Sequence, residues 1–298
     1  MSIEAWDEIR TAYHVARLGT VSGAASELGV HHATVIRHVD ALESRLGTKL
    51  FQRHPRGYTA TEAGRDLLQV AQATDDQFTQ LVGRLKGRGD SVTGELVITS
   101  LSILSPLLLP AIARFQIDHP GVLTRYLTGE RLFRLEYGEA HVAIRAGRAP
   151  DQPDNVVQKL YLSRTGMYAA QSYLDRRGQP DTDAELDGHD FVGADAEDSR
   201  APFYRWLAER VPRDRVVFRA SDARSGKYAV LEGAGIGFLP TWEAAQHPEL
   251  VQVLPPRDEW DSQLWLVTHV DLHRTAKVQA LLKHLKSSAQ GWSAANPS

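Results

Sequence analysis

The run GVHHATVIRHVDALE, residues 29–43, decides how the rest of this 298-residue chain is read. On a helix turning about 100° per residue, Val35, Val39, Leu42 and Leu46 just beyond the run fall within a sector of roughly 60°. That stripe faces a core. Ala33, Arg37 and Asp40 point away from it, Thr34 and Ile36 flank it, and His31 and His32 occupy the first turn. Three histidines so close together invite a metal reading. His31 and His38, however, stand about 10 Å apart along the axis, with His32 on another flank, too far to converge on an ion with bonds of about 2 Å. Neither a cleft nor a catalytic partner accompanies them, so the face is left for solvent or for a negatively charged surface.

Upstream, VSGAASELG (residues 21–29) offers Ser22 as an N-cap, Ala24, Ala25 and Leu28 as an inward stripe, and Gly29 for a sharp turn with positive φ. Alanines let two helices approach closely. A helix bearing Ile9, Ala12, Tyr13, Val15 and Ala16 precedes it. The set fits a helix-turn-helix whose second helix enters the major groove, against the blander alternative of an ordinary helical pair. Downstream, GTKLFQRHPRGYTATEAG (residues 47–64) holds short extended runs around a turn with Arg53, His54 and Arg56, the composition of a basic wing. Residues 1–65 carry eight Lys/Arg against seven Asp/Glu, so placement rather than bulk charge must create any polyanion-binding surface.

From Glu62 a long helix is expected, opened by a capping box of Thr59 with Glu62. Leu67, Ala71, Thr74, Phe78, Leu81 and Leu85 alternate spacings of four and three, the seam of a dimerisation helix; packing on its own domain is the competing reading. The glycine-rich segment KGRGDSVTGE (residues 86–95) is the best domain boundary. Beyond it strand-like runs such as GELVITS alternate with helical ones such as PLLLPAIARFQ. Ser105 and Pro106 read as a cap and first-turn pair there, with backbone amides able to hold an anion.

Composition narrows the function classes. The chain has no cysteine, 42% hydrophobic and 24% charged residues and a net charge of -3. No apolar run approaches the roughly 18 residues a membrane span needs, and no secretory leader pattern opens the chain, so a cytoplasmic protein without membrane insertion is expected. The alternative to a regulator is an enzyme or small-molecule-binding protein using the α/β domain, with the helical domain as an interaction module. GAGIGFLP is its strongest feature, but those glycines lead into a strand rather than opening a helix, and no nucleophile elbow or H-E-x-x-H occurs. No catalytic residue, metal or cofactor is expected.

Ala24-Ala25, Leu28-Gly29-Val30, Thr34-Val35, Arg37, Leu42-Glu43, Leu46-Gly47, Leu50-Phe51, Arg53 and Thr61-Glu62-Ala63-Gly64 occur in an order and spacing that resembles the winged helix-turn-helix of LysR-type transcriptional regulators. Similarity continues through residues 107–122, 137–147 and 232–240. It implies an α+β multidomain architecture: a winged helix-turn-helix over 1–60, a linker and dimerisation helix over 61–90, and a periplasmic-binding-protein-like effector domain over 91–298. The last divides into subdomain I (about 91–160 and 265–298) and subdomain II (about 161–264). The implied partners are a double-stranded DNA operator, a small-molecule effector, further copies of the chain as a homodimer or tetramer, and RNA polymerase. DNA contacts are expected from Ser22, His31, His32, Ala33, Thr34, Ile36, Arg37, Arg53 and Arg56.

Carried over residue by residue, the resemblance places Ser100, Ser102, Thr128, Gly129, Arg145, Arg148, Phe191 and Gly193 around an effector. Two arginines and helix-opening amides favour a carboxylate. Ser and Thr in strand-exit loops also serve as plain caps, and each arginine has a solvated surface role open to it. His31 and His32 stand where the family usually has serine and glutamine, Ile36 where serine is common, Asp40 where a basic residue is frequent, and His141 where aspartate is frequent.

Overall fold

The computed structural model describes residues 5–54, 57–85, 92–129, 133, 135, 139–180, 182–196, 199 and 201–292. Two compact units divide near residue 91. In the first, α1 (Trp6–Leu18), α2 (Val21–Leu28) and α3 (His32–Leu46) lead into a hairpin of β1 (Phe51–His54) and β2 (Gly57–Ala60), followed by α4 (Glu62–Leu85). Ala12, Val15, Ala24, Val35, Val39 and Leu42 are buried together with Leu50 and Phe51, so the alanines of α1 and α2 do bring these helices close. Gly29 ends α2 with φ 65°, a left-handed conformation that favours glycine.

Three helix-end expectations change. Thr20, not Ser22, caps α2: its hydroxyl accepts the Gly23 N–H at 3.1 Å, and Ser22 lies exposed inside the first turn. Thr61, not Thr59, caps α4, accepting the Gly64 N–H at 3.1 Å while donating to the Lys49 carbonyl at 2.7 Å. Leu46, expected in the core, is 39% exposed, because α3 ends there at Gly47 and the core beneath its last turn has already given way to the hairpin. Gly64 has a packing reason: a Cβ at this position would lie 2.0 Å from the Leu50 carbonyl oxygen.

The second unit opens with β3 (Gly94–Ser100), α5 (Ser105–Asp118), β4 (Val122–Thr128), β5 (Val142–Ala146) and β6 (Asn155–Ser163). A second lobe then contains β7 (Thr165–Ala170), α6 (Gln171–Arg177), β8 (Phe191–Ala194), α7 (Pro202–Arg210), β9 (Val216–Ala220), α8 (Ala223–Leu231), β10 (Gly237–Pro240), α9 (Thr241–Ala244) and β11 (Leu250–Leu254). The chain returns through β12 (Ser262–His269), α10 (Val270–His273) and α11 (Ala276–Trp292). The first lobe's sheet has the order β4-β3-β5-β12-β6, with β3 parallel to β4 and β5, and β12 antiparallel to β5 and β6. Leu96, Ile98, Val142, Ile144, Leu264 and Leu266 pack there against Leu108, Ile112 and Phe115 of α5 and Leu281 and Leu285 of α11. In the second lobe β7 lies between β10 and β11, and β8 pairs with β9 over a core of Met167, Phe191, Trp206, Phe238 and Trp260.

The lobes are joined at two strand crossings. Chain passes from β6 to β7 through Arg164 alone and returns between Leu254 and Ser262. Asp261 ties the two: it accepts the Thr165 N–H at 3.1 Å and lies 3.6 Å from Arg164 Nε. Burial raises the Asp261 pKa, against the lowering pull of that N–H and Arg164.

Candidate DNA interface and ligand cleft

On α3 the residues around Arg37 are small or polar. His31, His32, Ala33 and Arg37 are exposed, and Thr34 and Ile36 are half-buried, Ile36 packing against the unit's core. Arg37 makes no ion pair or hydrogen bond among the described residues. His38 behaves differently: Thr11 donates its only hydroxyl proton to the Asp7 carbonyl at 2.6 Å, so the His38 Nδ1–H must donate to Thr11 Oγ1 at 2.9 Å. The third histidine is thereby an anchor between α3 and α1. Among the described residues, no three His, Asp or Glu side chains converge as a metal site would require.

Glu43, unassigned by sequence reasoning, organises the wing. Its buried carboxylate accepts the Leu50 N–H at 2.9 Å and the Phe51 N–H at 3.2 Å through Oε1, and pairs with Lys49 at 2.7 Å and Arg53 at 3.2 Å through Oε2. Burial pushes its pKa up, but the Lys49 hydrogen bond and the two backbone donors outweigh that and lower it. The signal was present: Glu43 follows Val39 by four and Val35 by eight, a charge on the inward stripe. Arg53, expected to reach phosphates, is also 2.5 Å from Asp40 and stacks 5.4 Å from the Tyr58 ring centroid. Arg56 lies outside the described residues.

The first half of α4 packs on its own unit. Leu67 joins the core, and Tyr13 Oη donates to Gln72 Oε1 at 2.7 Å, fastening α1 to α4. Ala71 and Thr74 are half-buried, the Thr74 hydroxyl bonding the Val70 carbonyl at 2.9 Å. Farther along, Phe78 is 51% exposed and packs edge-on against an exposed Trp6 at 5.9 Å. The side chains of Leu81 and Leu85 lie outside the described residues.

In the second unit the cleft candidates separate into groups. Ser100 is buried and its hydroxyl is occupied: it donates to the Leu101 carbonyl at 3.0 Å and so accepts from Tyr126 Oη at 2.6 Å. Ser105 Oγ lies 3.3 Å from the same Tyr126 oxygen, and no side chain caps α5; Ser105 therefore stands inside the first turn rather than capping it. Ser102 opens a 3-10 turn, Ser102–Leu104, at the carboxyl end of β3, while Thr128 and Gly129 close β4 beside it, the Gly129 N–H donating to the Ser100 carbonyl at 3.2 Å. Arg145 donates to the Phe133 carbonyl at 3.0 Å, and Arg148 is exposed. Phe191 is fully buried in the second lobe's core, and Gly193 packs where a Cβ would lie 2.8 Å from Val216, so both shape the lobe rather than offering ligand atoms.

Sequence reasoning also passed over α8, which packs against the turn Ser102–Leu104 and so forms the facing wall. It brings Arg224, Lys227 and the exposed Tyr228. Lys227 is committed to the buried Glu243 at 2.5 Å. Asp222 caps α8 by accepting the Ser225 N–H at 2.9 Å, and this short polar cap was the legible signal for the element.

With this geometry in view, two family models cover nearly the whole chain: the bacterial regulatory helix-turn-helix protein, lysR family, over residues 6–65, and the LysR substrate binding domain over residues 89–290. The transcriptional activator IlvY of Salmonella typhimurium is 35% identical over 153 residues, covering 50% of this chain and 52% of IlvY, so the chain spans about half the length of such relatives. The activator TtdR of Escherichia coli is 24% identical across 95% of this chain and 93% of its own. Among solved structures, a full-length OxyR variant from Pseudomonas aeruginosa superposes with a TM-score of 0.72 at 16% identity, covering 97% of both chains. LysG of Corynebacterium glutamicum gives 0.66 at 20% identity, covering 95% of this chain and 97% of LysG. These last two show likeness of fold. With most of its length matched by the family's own two domain models, the chain belongs to the LysR family.

Proposed function

We propose that the protein is a sequence-specific DNA-binding transcriptional regulator of the cytoplasm, acting as an oligomer and controlled by a small carboxylate-bearing effector. The observation that carries this reading is the exposed face of α3, where Arg37, without an ion pair among the described residues, stands among Ala33, Thr34 and two histidines. A guanidinium with small neighbours can reach a guanine edge or a phosphate without steric obstruction. The exposed Trp6–Phe78 pair supports a homodimer through α1 and α4, placing two α3 helices on half-sites about 34 Å apart. Exposed Leu109, Ile117 and Leu123 on α5 and β4 supply apolar surface for a further contact, as a tetramer needs. RNA polymerase is the downstream partner of such a regulator.

For the effector, the turn Ser102–Leu104, the adjoining end of β4 and the facing α8 form a polar wall at the carboxyl ends of parallel strands, where α/β sheets commonly bind ligands. Arg224, in the first turn of α8, brings positive charge to this wall, and the exposed Arg148 follows β5, a parallel neighbour of β3. LysG, similar in fold, is described with arginine as bound effector, a molecule that carries a carboxylate. Genome-wide mapping of bound DNA tests the whole reading, because it returns the operator and, through the neighbouring genes, the metabolite. Absence of DNA binding above the non-specific background at modest salt overturns it.

A further inference from the structure

The wing arginine is already neutralised from within. Arg53 Nη2 lies 2.5 Å from Asp40 Oδ1 and 3.2 Å from Glu43 Oε2, and Glu43 also holds Lys49 at 2.7 Å. Two cations and two carboxylates make a charge-neutral chain where β1 meets α3. Arg53 remains 37% exposed and Asp40 50% exposed, so this pairing is on the surface rather than in the core. Arg37, one turn before Asp40 on α3, has no such partner among the described residues.

The two carboxylates are not equivalent. Glu43 is buried, bonded to the Leu50 and Phe51 amides, and together with the Tyr58 ring it holds the guanidinium from the inner side. Asp40 makes the shorter contact to Arg53 and shares in that placement. What it adds is a negative charge on the outer surface, where a phosphate approaching Arg53 would meet it. We propose that Asp40 is an affinity-limiting residue: it withholds Arg53 from the DNA backbone, so that binding depends on α3 contacts rather than on indiscriminate phosphate attraction. The inference rests on the DNA-binding reading above.

Fluorescence anisotropy with the full-length protein and a labelled mixed-sequence duplex of about 30 base pairs tests it, titrating salt from about 50 to about 200 mM. Asp40→Asn exposes one net positive charge per subunit. Its affinity should exceed that of the native protein, and its log–log salt slope should steepen by about 0.9 per DNA-bound subunit, an extra loss of about 3.5-fold over that salt range. Arg53→Gln in the native background should leave the slope nearly unchanged, whereas added to Asp40→Asn it should cancel the gain. Asp40→Ser, with a shorter uncharged side chain, should behave as Asp40→Asn does.

Weaker binding by both Asp40 variants would make Asp40 an aid to contact and overturn the proposal. So would an unchanged slope, or a full unit lost in Arg53→Gln alone. A native protein that binds no duplex at any salt in the range removes the DNA-binding reading itself, an outcome distinct from the others.

Discussion

Replacing Glu43 tests how the wing is built. In Glu43→Ala two backbone donors, Leu50 N–H and Phe51 N–H, lose their carboxylate acceptor within a buried stretch. Each orphaned donor costs about 1–3 kcal/mol. The Lys49 pair, with a largely exposed ammonium, contributes under about 1 kcal/mol. A loss of about 3 kcal/mol for the first unit is therefore expected, with its melting midpoint falling by roughly 12–24 °C. Glu43→Gln keeps an amide oxygen for the two N–H groups but turns an NH₂ toward Lys49 and Arg53, and should cost about half as much. Hydrogen exchange of the full-length protein, read on peptides from α1 and from residues 47–54, isolates this unit. Because the folded pKa of Glu43 lies below its ordinary 4.5, the charge-dependent part of this stabilisation is fully present above that value and is lost as pH falls through the folded pKa, while the neutral carboxyl still accepts the two N–H groups. A Glu43→Ala loss below about 1 kcal/mol, or one that persisted undiminished in acid, would refute this account of the wing.

Other expectations are simpler. Gly64→Ala should destabilise the same unit by about 1–3 kcal/mol or more, measured by thermal melting, since its Cβ would meet the Leu50 carbonyl. Thr20→Ala should cost about 1 kcal/mol in urea unfolding while Ser22→Ala stays within about 0.5 kcal/mol, because only Thr20 accepts an amide proton at the helix start. Arg37→Ala should weaken binding to the mapped operator by about 1–3 kcal/mol in a gel-shift titration and relax preference at one base position, if it reads a guanine. Calorimetry against a panel of small metabolic acids should show binding that Ser102→Ala weakens more than Ser100→Ala, whose native hydroxyl is already occupied.

The helical unit was legible because a 3.6-residue period writes the inward stripe directly into the sequence: Val35, Val39 and Leu42 are buried and Arg37 is exposed. Helix ends were read less well. Thr20 and Ser22, or Thr59 and Thr61, are chemically equivalent cap candidates two residues apart, and the register of the following turn chooses between them. Long-range pairings left no periodic trace. Nothing near Asp40 announces that Arg53, thirteen residues later, will neutralise it, because the hairpin's path sets that contact. The cleft suffered most: Ser100 and Phe191 carry suitable chemistry, but a tyrosine from the neighbouring strand and a closed apolar core consume them. The Asp222 cap marks α8 as a helix, but nothing in its composition marks it as a wall of the cleft; only its position in space does.

The place of β12 in the first lobe has a consequence for how the protein is made. Its slot between β5 and β6 is filled by residues separated from both by the entire second lobe. A nascent chain must therefore hold that sheet incomplete, with the edges of β5 and β6 unpaired, while more than ninety residues of the second lobe emerge and fold as a continuous segment. Closure of so long a loop is slow, and unpaired edges invite wrong strand partners meanwhile. The second lobe should thus mature first on the ribosome, and the first should complete only after β12 and the core-packing helix α11 have left the exit tunnel.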